Sequence, residues 1–192
     1  MKKFFLKKEK GFTLIETLVA ITILLIAIVG PMEIASKGLF SAFYARDEIT
    51  AYYLAQEGLE YVRNGRDTVF LENNANGTSE DWLSGLSACE VASETDDGCY
   101  IDVPLYLDQV DGSIDSVITE CSGECPVLLF NETNGSYSYT SGDDSKFTRT
   151  IKISREGADE AVVESQVTWT VGTLFSSTKS FTLKERIFNW LK

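Results

Sequence analysis

A chain of 192 residues with 44% hydrophobic residues has room for one membrane-length apolar run and one modest soluble domain. It contains no histidine, which removes Ser-His-Asp and Cys-His catalysis and histidine-ligated metals, and its net charge of −12 argues against a nucleic-acid partner. No glycine-rich phosphate loop appears and no spacing selects two carboxylates as an acid and a base, so neither an enzyme nor a cofactor nor a bound metal is expected.

The chain opens with Lys2, Lys3, Lys7, Lys8 and Lys10, then Gly11, a short apolar entry, a single carboxylate at Glu16 and a nearly unbroken apolar run over residues 18–29. As a helix, residues 12–30 cover about 28 Å, close to the hydrocarbon thickness of a bilayer. The lysine bias places the amino terminus inside and everything after Gly30 outside. A secretory signal peptide carries its small residues after the apolar core; here Gly11 comes before it, so the anchor should survive processing. A carboxylate in a membrane helix costs a few kcal/mol, so Glu16 either stays wet near the headgroups or has a charged partner.

The order Lys10-Gly11-Phe12-Thr13-Leu14-Ile15-Glu16, followed by that run, resembles the class III signal of type IV prepilins and pseudopilins. The resemblance implies cleavage by prepilin peptidase between Gly11 and Phe12 and N-methylation of Phe12. It also implies that Glu16 pairs with the charged amino terminus of a neighbouring subunit, neutralising both in an apolar filament core. Such a protein waits in the cytoplasmic membrane as a single-pass chain in contact with lipid. An inner-membrane assembly platform then lifts it into a filament with other pilins or pseudopilins. A generic uncleaved signal anchor is the rival reading. Loss of leader 1–11 would remove five lysines and one glutamate, leaving 12 basic against 28 acidic residues, a side-chain charge of −16.

Further along, Gly30-Pro31 predicts a kink. Ala45, Ile49, Tyr52, Ala55, Leu59 and Val62 recur at spacings of three and four, which predicts a face packed on a sheet, with Arg46, Glu48, Glu57 and Arg63 on the opposite side. Asn64-Gly65 predicts the stop, giving a long helix over residues 12–64, of which 12–30 cross the membrane. Such a helix resembles the pilin stalk, and Tyr53-Leu54-Ala55-Gln56-Glu57-Gly58-Leu59-Glu60 resembles the first helix of V-type minor pilins and I-type secretion pseudopilins.

Residues 65–145 read as a loop-rich connection, similar to the one pilins place between stalk and sheet. Within it, residues 73–77 predict a loop, and 81–89 a short helix with Trp82 and Leu86 inward. Tyr100 and Asp102 predict a short strand ended by Pro104, and 127–130 with 136–140 a hairpin about Asn134-Gly135. Cys89, Cys99, Cys121 and Cys125 allow three pairings. Short-range closure, Cys89 with Cys99 and Cys121 with Cys125, is expected because each pair brackets turn-forming residues. The rival four-cysteine zinc site would want Cys-x-x-Cys spacings that are missing here. Asp108, Asp111 and Asp115, like Asp143 and Asp144, do not fit a calcium loop, although some pseudopilins bind calcium, and are read as solvated turns.

Residues 146–192 alternate in three runs, 147–154, 162–171 and 178–186, separated by breaks at Glu156-Gly157 and 172–177 that suit an antiparallel meander. The ending Phe188-Asn189-Trp190 is similar to that of several V-type minor pilins. The expected fold is α+β: a long amino-terminal transmembrane and stalk helix packed on an antiparallel sheet, the α-β roll of pilins. The expected function is that of a minor pilin or pseudopilin in a type IV pilus or a type II secretion-like filament. The alternative is a membrane-anchored extracellular adhesin or binding module that does not polymerise.

Overall fold

The computed structural model describes residues 11–93, 95–103, 117–172 and 176–190. The leader lysines, Pro104, and Asp108, Asp111 and Asp115 lie outside them. The chain divides into two compact units, Met1–Ala45 and Arg46–Lys192.

One helix, α1 (Leu14–Asn76), runs uninterrupted through Pro31. In the first unit its hydroxyls bond back to the preceding turn, Thr17 to the Leu14 carbonyl and Thr22 to that of Val19, so an otherwise apolar surface leaves these groups satisfied. In the second unit α1 extends twelve residues past the expected stop at Asn64. Gly65 is a packing glycine: a Cβ there would stand 3.1 Å from Leu86 Cδ2. The stop comes at Gly77, whose φ of +64° supplies the left-handed residue that ends a helix.

The buried seam also differs from the predicted one. Ala55, Leu59 and Val62 are buried, but Ala45, Ile49 and Tyr52 are exposed. The seam is instead Asp47, Ala51, Leu54, Ala55, Gly58, Leu59, Tyr61, Val62, Gly65 and Val69. An aspartate and two glycines belong to it, and a hydrophobic pattern cannot register those.

Among the described residues the sheet has seven strands: β1 (Cys99–Ile101), β2 (Ile118–Glu120), β3 (Val127–Asn131), β4 (Ser136–Ser138), β5 (Asp143–Arg155), β6 (Glu160–Val171) and β7 (Ser177–Phe188). β5 pairs antiparallel with β6 from Phe147↔Trp169 to Arg155↔Ala161, and β6 pairs with β7 from Glu160↔Phe188 to Val171↔Ser177. β3 and β1 also pair with β5, through Val127↔Thr148 and Cys99↔Ile151, while β2 pairs with β1 and β4 with β3. The turn residues 173–175 lie outside the described set.

Period-two alternation turns Phe147, Arg149, Ile151 and Ile153 of β5, and Ala161, Val163, Ser165, Val167 and Trp169 of β6, to the buried face. There they meet the α1 seam in two clusters, one around Val62, Leu83, Leu86, Ile101 and Ile153, the other around Leu54, Leu128, Phe147 and Trp169.

The segment 65–145 is therefore less of a loop than expected. Its first residues continue α1, and β1 to β4 come from it and join the sheet. Residues 81–89 form turns and a 3-10 helix at Ser87–Cys89, with Trp82 and Leu86 buried. Asp143 and Asp144 are not a turn: they open β5 opposite Phe130 and Leu129, since an exposed strand end accepts carboxylates at little cost.

Candidate functional site

Gly11, Phe12 and Glu16 lie together at the start of α1. Gly11 is open, with nothing within 4 Å of the place a Cβ would occupy, and Phe12 is 80% exposed. The helix begins just after Thr13, whose hydroxyl accepts the Glu16 amide proton at 3.3 Å while its carbonyl accepts those of Glu16 at 3.1 Å and Thr17 at 3.2 Å. Thr-x-x-Glu is the spacing of a capping box, and a carboxylate in the first turn also suits the positive end of the helix. Sequence reasoning fixed on Glu16 and missed Thr13, which the same spacing would have revealed.

Every large apolar side chain over residues 12–44 is exposed. Among the described residues α1 is the one helix long and apolar enough to cross a membrane: its most apolar stretch has a mean hydropathy of 2.4 and none of it is buried. So large an apolar surface needs lipid or other protein against it. Glu16 interrupts this surface and forms no ion pair with another described residue.

The match to known families falls on this segment. Residues 6–30 fit the family model of the prokaryotic N-terminal methylation motif. The chain carries the class III signal of type IV pilins and pseudopilins. That motif indicates a pilin-like substrate of prepilin peptidase and implies assembly with other pilins in a filament, and the apolar helix fits a membrane-anchored pilin. No curated protein and no solved structure matches the chain.

In the second unit of this pilin-like chain, charged side chains fasten α1 to the sheet. Arg149, 1% exposed, donates to the Leu54 carbonyl at 3.1 Å, the Ile101 carbonyl at 2.8 Å and Glu57 Oε2 at 2.5 Å. Glu57 and Arg63, expected on the solvent side, are both engaged, Arg63 with Glu60 and Glu185. Buried Asp47 meets Lys146 at 2.5 Å. Nothing in the hydrophobic period signals these contacts. Arg155 links Asp81 and Glu90, and its guanidinium holds the Asp81 carboxyl below the usual range. Burial pushes the Tyr139 phenol up to about 12.

The four cysteines form two bonds, Cys89–Cys99 and Cys121–Cys125. The small Cys121–Cys125 loop is tied to the preceding turn, Cys121 N donating to the Gly98 carbonyl at 2.9 Å and Gly123 N to Asp97 Oδ2 at 2.7 Å. All four sulfurs are thereby occupied, and the described residues hold no group of three metal-ligating side chains.

Proposed function

We propose that this chain is a structural subunit, a minor pilin or a pseudopilin, that crosses the cytoplasmic membrane with its amino terminus inside and later enters a pilus or pseudopilus. The supporting observation is the methylation motif at residues 6–30, which overlaps the start of a helix whose large apolar side chains are all exposed as far as residue 44. Prepilin peptidase cuts between Gly11 and Phe12 and the new Phe12 amine is methylated. Glu16 then pairs with that charged amine on an adjacent subunit. In an apolar filament core each charge alone would be costly, so the pair sets subunit register more than it adds stability.

Intact mass tests this in cells that have the peptidase. Protein from membranes and from sheared filaments should begin at a methylated Phe12. Gly11→Leu should leave the precursor intact, because a peptidase that holds the backbone closely at the cut has no room for a side chain. A mature mass that retains Met1 to Gly11 would remove the filament reading, and a processed protein confined to membranes would favour the anchored adhesin.

A further inference from the structure

Three Asn-x-Ser/Thr triplets occur in the chain: Asn76-Gly77-Thr78, Asn131-Glu132-Thr133 and Asn134-Gly135-Ser136. That triplet is the acceptor pattern for N-linked glycans on exported proteins, and the fold treats the three differently. Asn76 ends α1, and the Thr78 hydroxyl is turned away to Asn73 Oδ1 at 2.8 Å. Asn131 is a half-buried residue of β3, facing Ser136 of β4, and its Oδ1 takes the Thr133 amide proton at 2.9 Å. Asn134 is exposed in the turn between β3 and β4. Its Oδ1 accepts both the Ser136 amide proton at 3.0 Å and the Ser136 hydroxyl proton at 2.8 Å.

Because a backbone N–H can only donate, the atom facing Ser136 is the oxygen, and Nδ2 therefore points away, with no partner among the described residues. We propose that Asn134 Nδ2 is an N-glycosylation site, taking an oligosaccharide from a lipid-linked diphosphate donor through a membrane oligosaccharyltransferase. The hydroxyl bond into Oδ1 draws charge onto the oxygen and makes the Nδ2 protons more acidic. Nδ2 then attacks the anomeric carbon of the sugar. The N–C1 bond forms, the C1–O bond breaks, the lipid diphosphate leaves with the electron pair, and a base of the transferase takes one amide proton.

The turn suits that chemistry in two further ways. Gly135, at φ +71°, makes the reversal without a side chain beside the acceptor. Its amide proton is bonded to the Asn131 carbonyl at 2.8 Å, which ties up the nitrogen that would otherwise attack the Asn134 side chain and deamidate it. Exposed Glu132, just upstream and in no ion pair among the described residues, adds a negative charge that a basic acceptor groove can read.

The inference rests on the proposed outward placement of the second unit, and one preparation separates the two. Protein purified from its own cells is mapped by mass spectrometry for the leader, the disulfides and the peptide containing residues 131–136. The expected result is an oligosaccharide mass on Asn134, lost in Asn134→Gln and Ser136→Ala and kept in Ser136→Thr, with both disulfides closed in every variant. Unmodified or merely deamidated Asn134 in processed, disulfide-closed protein overturns the site while the function stands. A glycan on Asn76 or Asn131 alone overturns the selection by the turn. An unmodified chain that keeps its leader overturns both readings.

Discussion

Gly58 decides how closely α1 lies on the sheet, and Gly58→Ala sets two effects of known size against each other. Alanine favours a helix interior over glycine by about 1 kcal/mol. Here the new Cβ would meet Ser165 Oγ at 2.7 Å and Ile151 Cδ1 at 3.1 Å. Ser165 is 0% exposed and sits in β6 between β5 and β7, so it cannot retreat, and overpacking of this kind costs about 1–3 kcal/mol. Because 2.7 Å is shorter than real Cβ contacts allow, the cost lies toward the upper end and the net effect is a loss of about 1–2 kcal/mol.

Ser165 offers the control. Its hydroxyl is buried without a hydrogen-bond partner among the described residues, so Ser165→Ala should stabilise by about 1 kcal/mol by removing an unmet polar group. With that oxygen gone, the nearest atom is the end of the flexible Ile151 side chain, and Gly58→Ala should become neutral or mildly stabilising. The coupling expected is about 2 kcal/mol. Denaturant unfolding of the processed chain in detergent, followed by the fluorescence of buried Trp82 and Trp169, measures it. Equal costs of Gly58→Ala in the two backgrounds, to within about 0.5 kcal/mol, would refute the steric account.

Glu57→Gln strands the buried Arg149 guanidinium and should cost about 2–3 kcal/mol, less than a fully buried pair because the Glu57 side chain is 39% exposed. The double change Glu57→Gln with Arg149→Met should recover at least half of that loss in the same unfolding assay. Tyr139, with a folded pKa raised from 10.0 to about 12, adds stability that is fully present below pH 10 and is lost as pH rises through 12. At 1.36 kcal/mol per unit this is on the order of 3 kcal/mol, so Tyr139→Phe should flatten the alkaline fall in stability over that interval. Glu16→Ala should give a processed, membrane-resident protein that enters filaments poorly, and Glu16→Asp should restore part of the entry. Subunit recovered in sheared filaments relative to the membrane pool measures this, and equal incorporation of Glu16→Ala and wild type returns Glu16 to a wet carboxylate.

The parts of the fold legible in the sequence are those written in apolar period or turn chemistry. The alternation of residues 147–154, 162–171 and 178–186 places β5, β6 and β7, and Asn134-Gly135 marks the turn between β3 and β4. The class III signal is a string of residue types in fixed order, so it is read without any structure. What escaped was specified by contact. Gly65 reads locally as a helix stop and is a packing residue because Leu86 lies against it. Asp47 and Arg149 carry charge and are core residues because each finds its partner 99 and 92 residues away. A strand as short as β2, three residues long, carries too little period to be seen and exists because β1 pairs with it.

The two units solve the problem of charge in opposite ways, and the contrast bears on how the chain is used. In the second unit a buried charge is answered inside the same chain: Arg149 by Glu57, Asp47 by Lys146. That unit therefore carries its electrostatic balance wherever it goes. The first unit exposes every large apolar side chain over residues 12–44, and Glu16 has no ion-pair partner among the described residues. An ionised acid within a bilayer costs a few kcal/mol by insertion scales, so the membrane-resident state holds an unfavourable term that no described residue removes. A second apolar helix carrying a free amine would remove it, and lipid would not. On the proposed function, Glu16 thus biases the chain from lipid toward a filament made of like helices, with a driving force set by the difference between the unpaired and the paired carboxylate rather than by apolar burial, which lipid and filament supply alike.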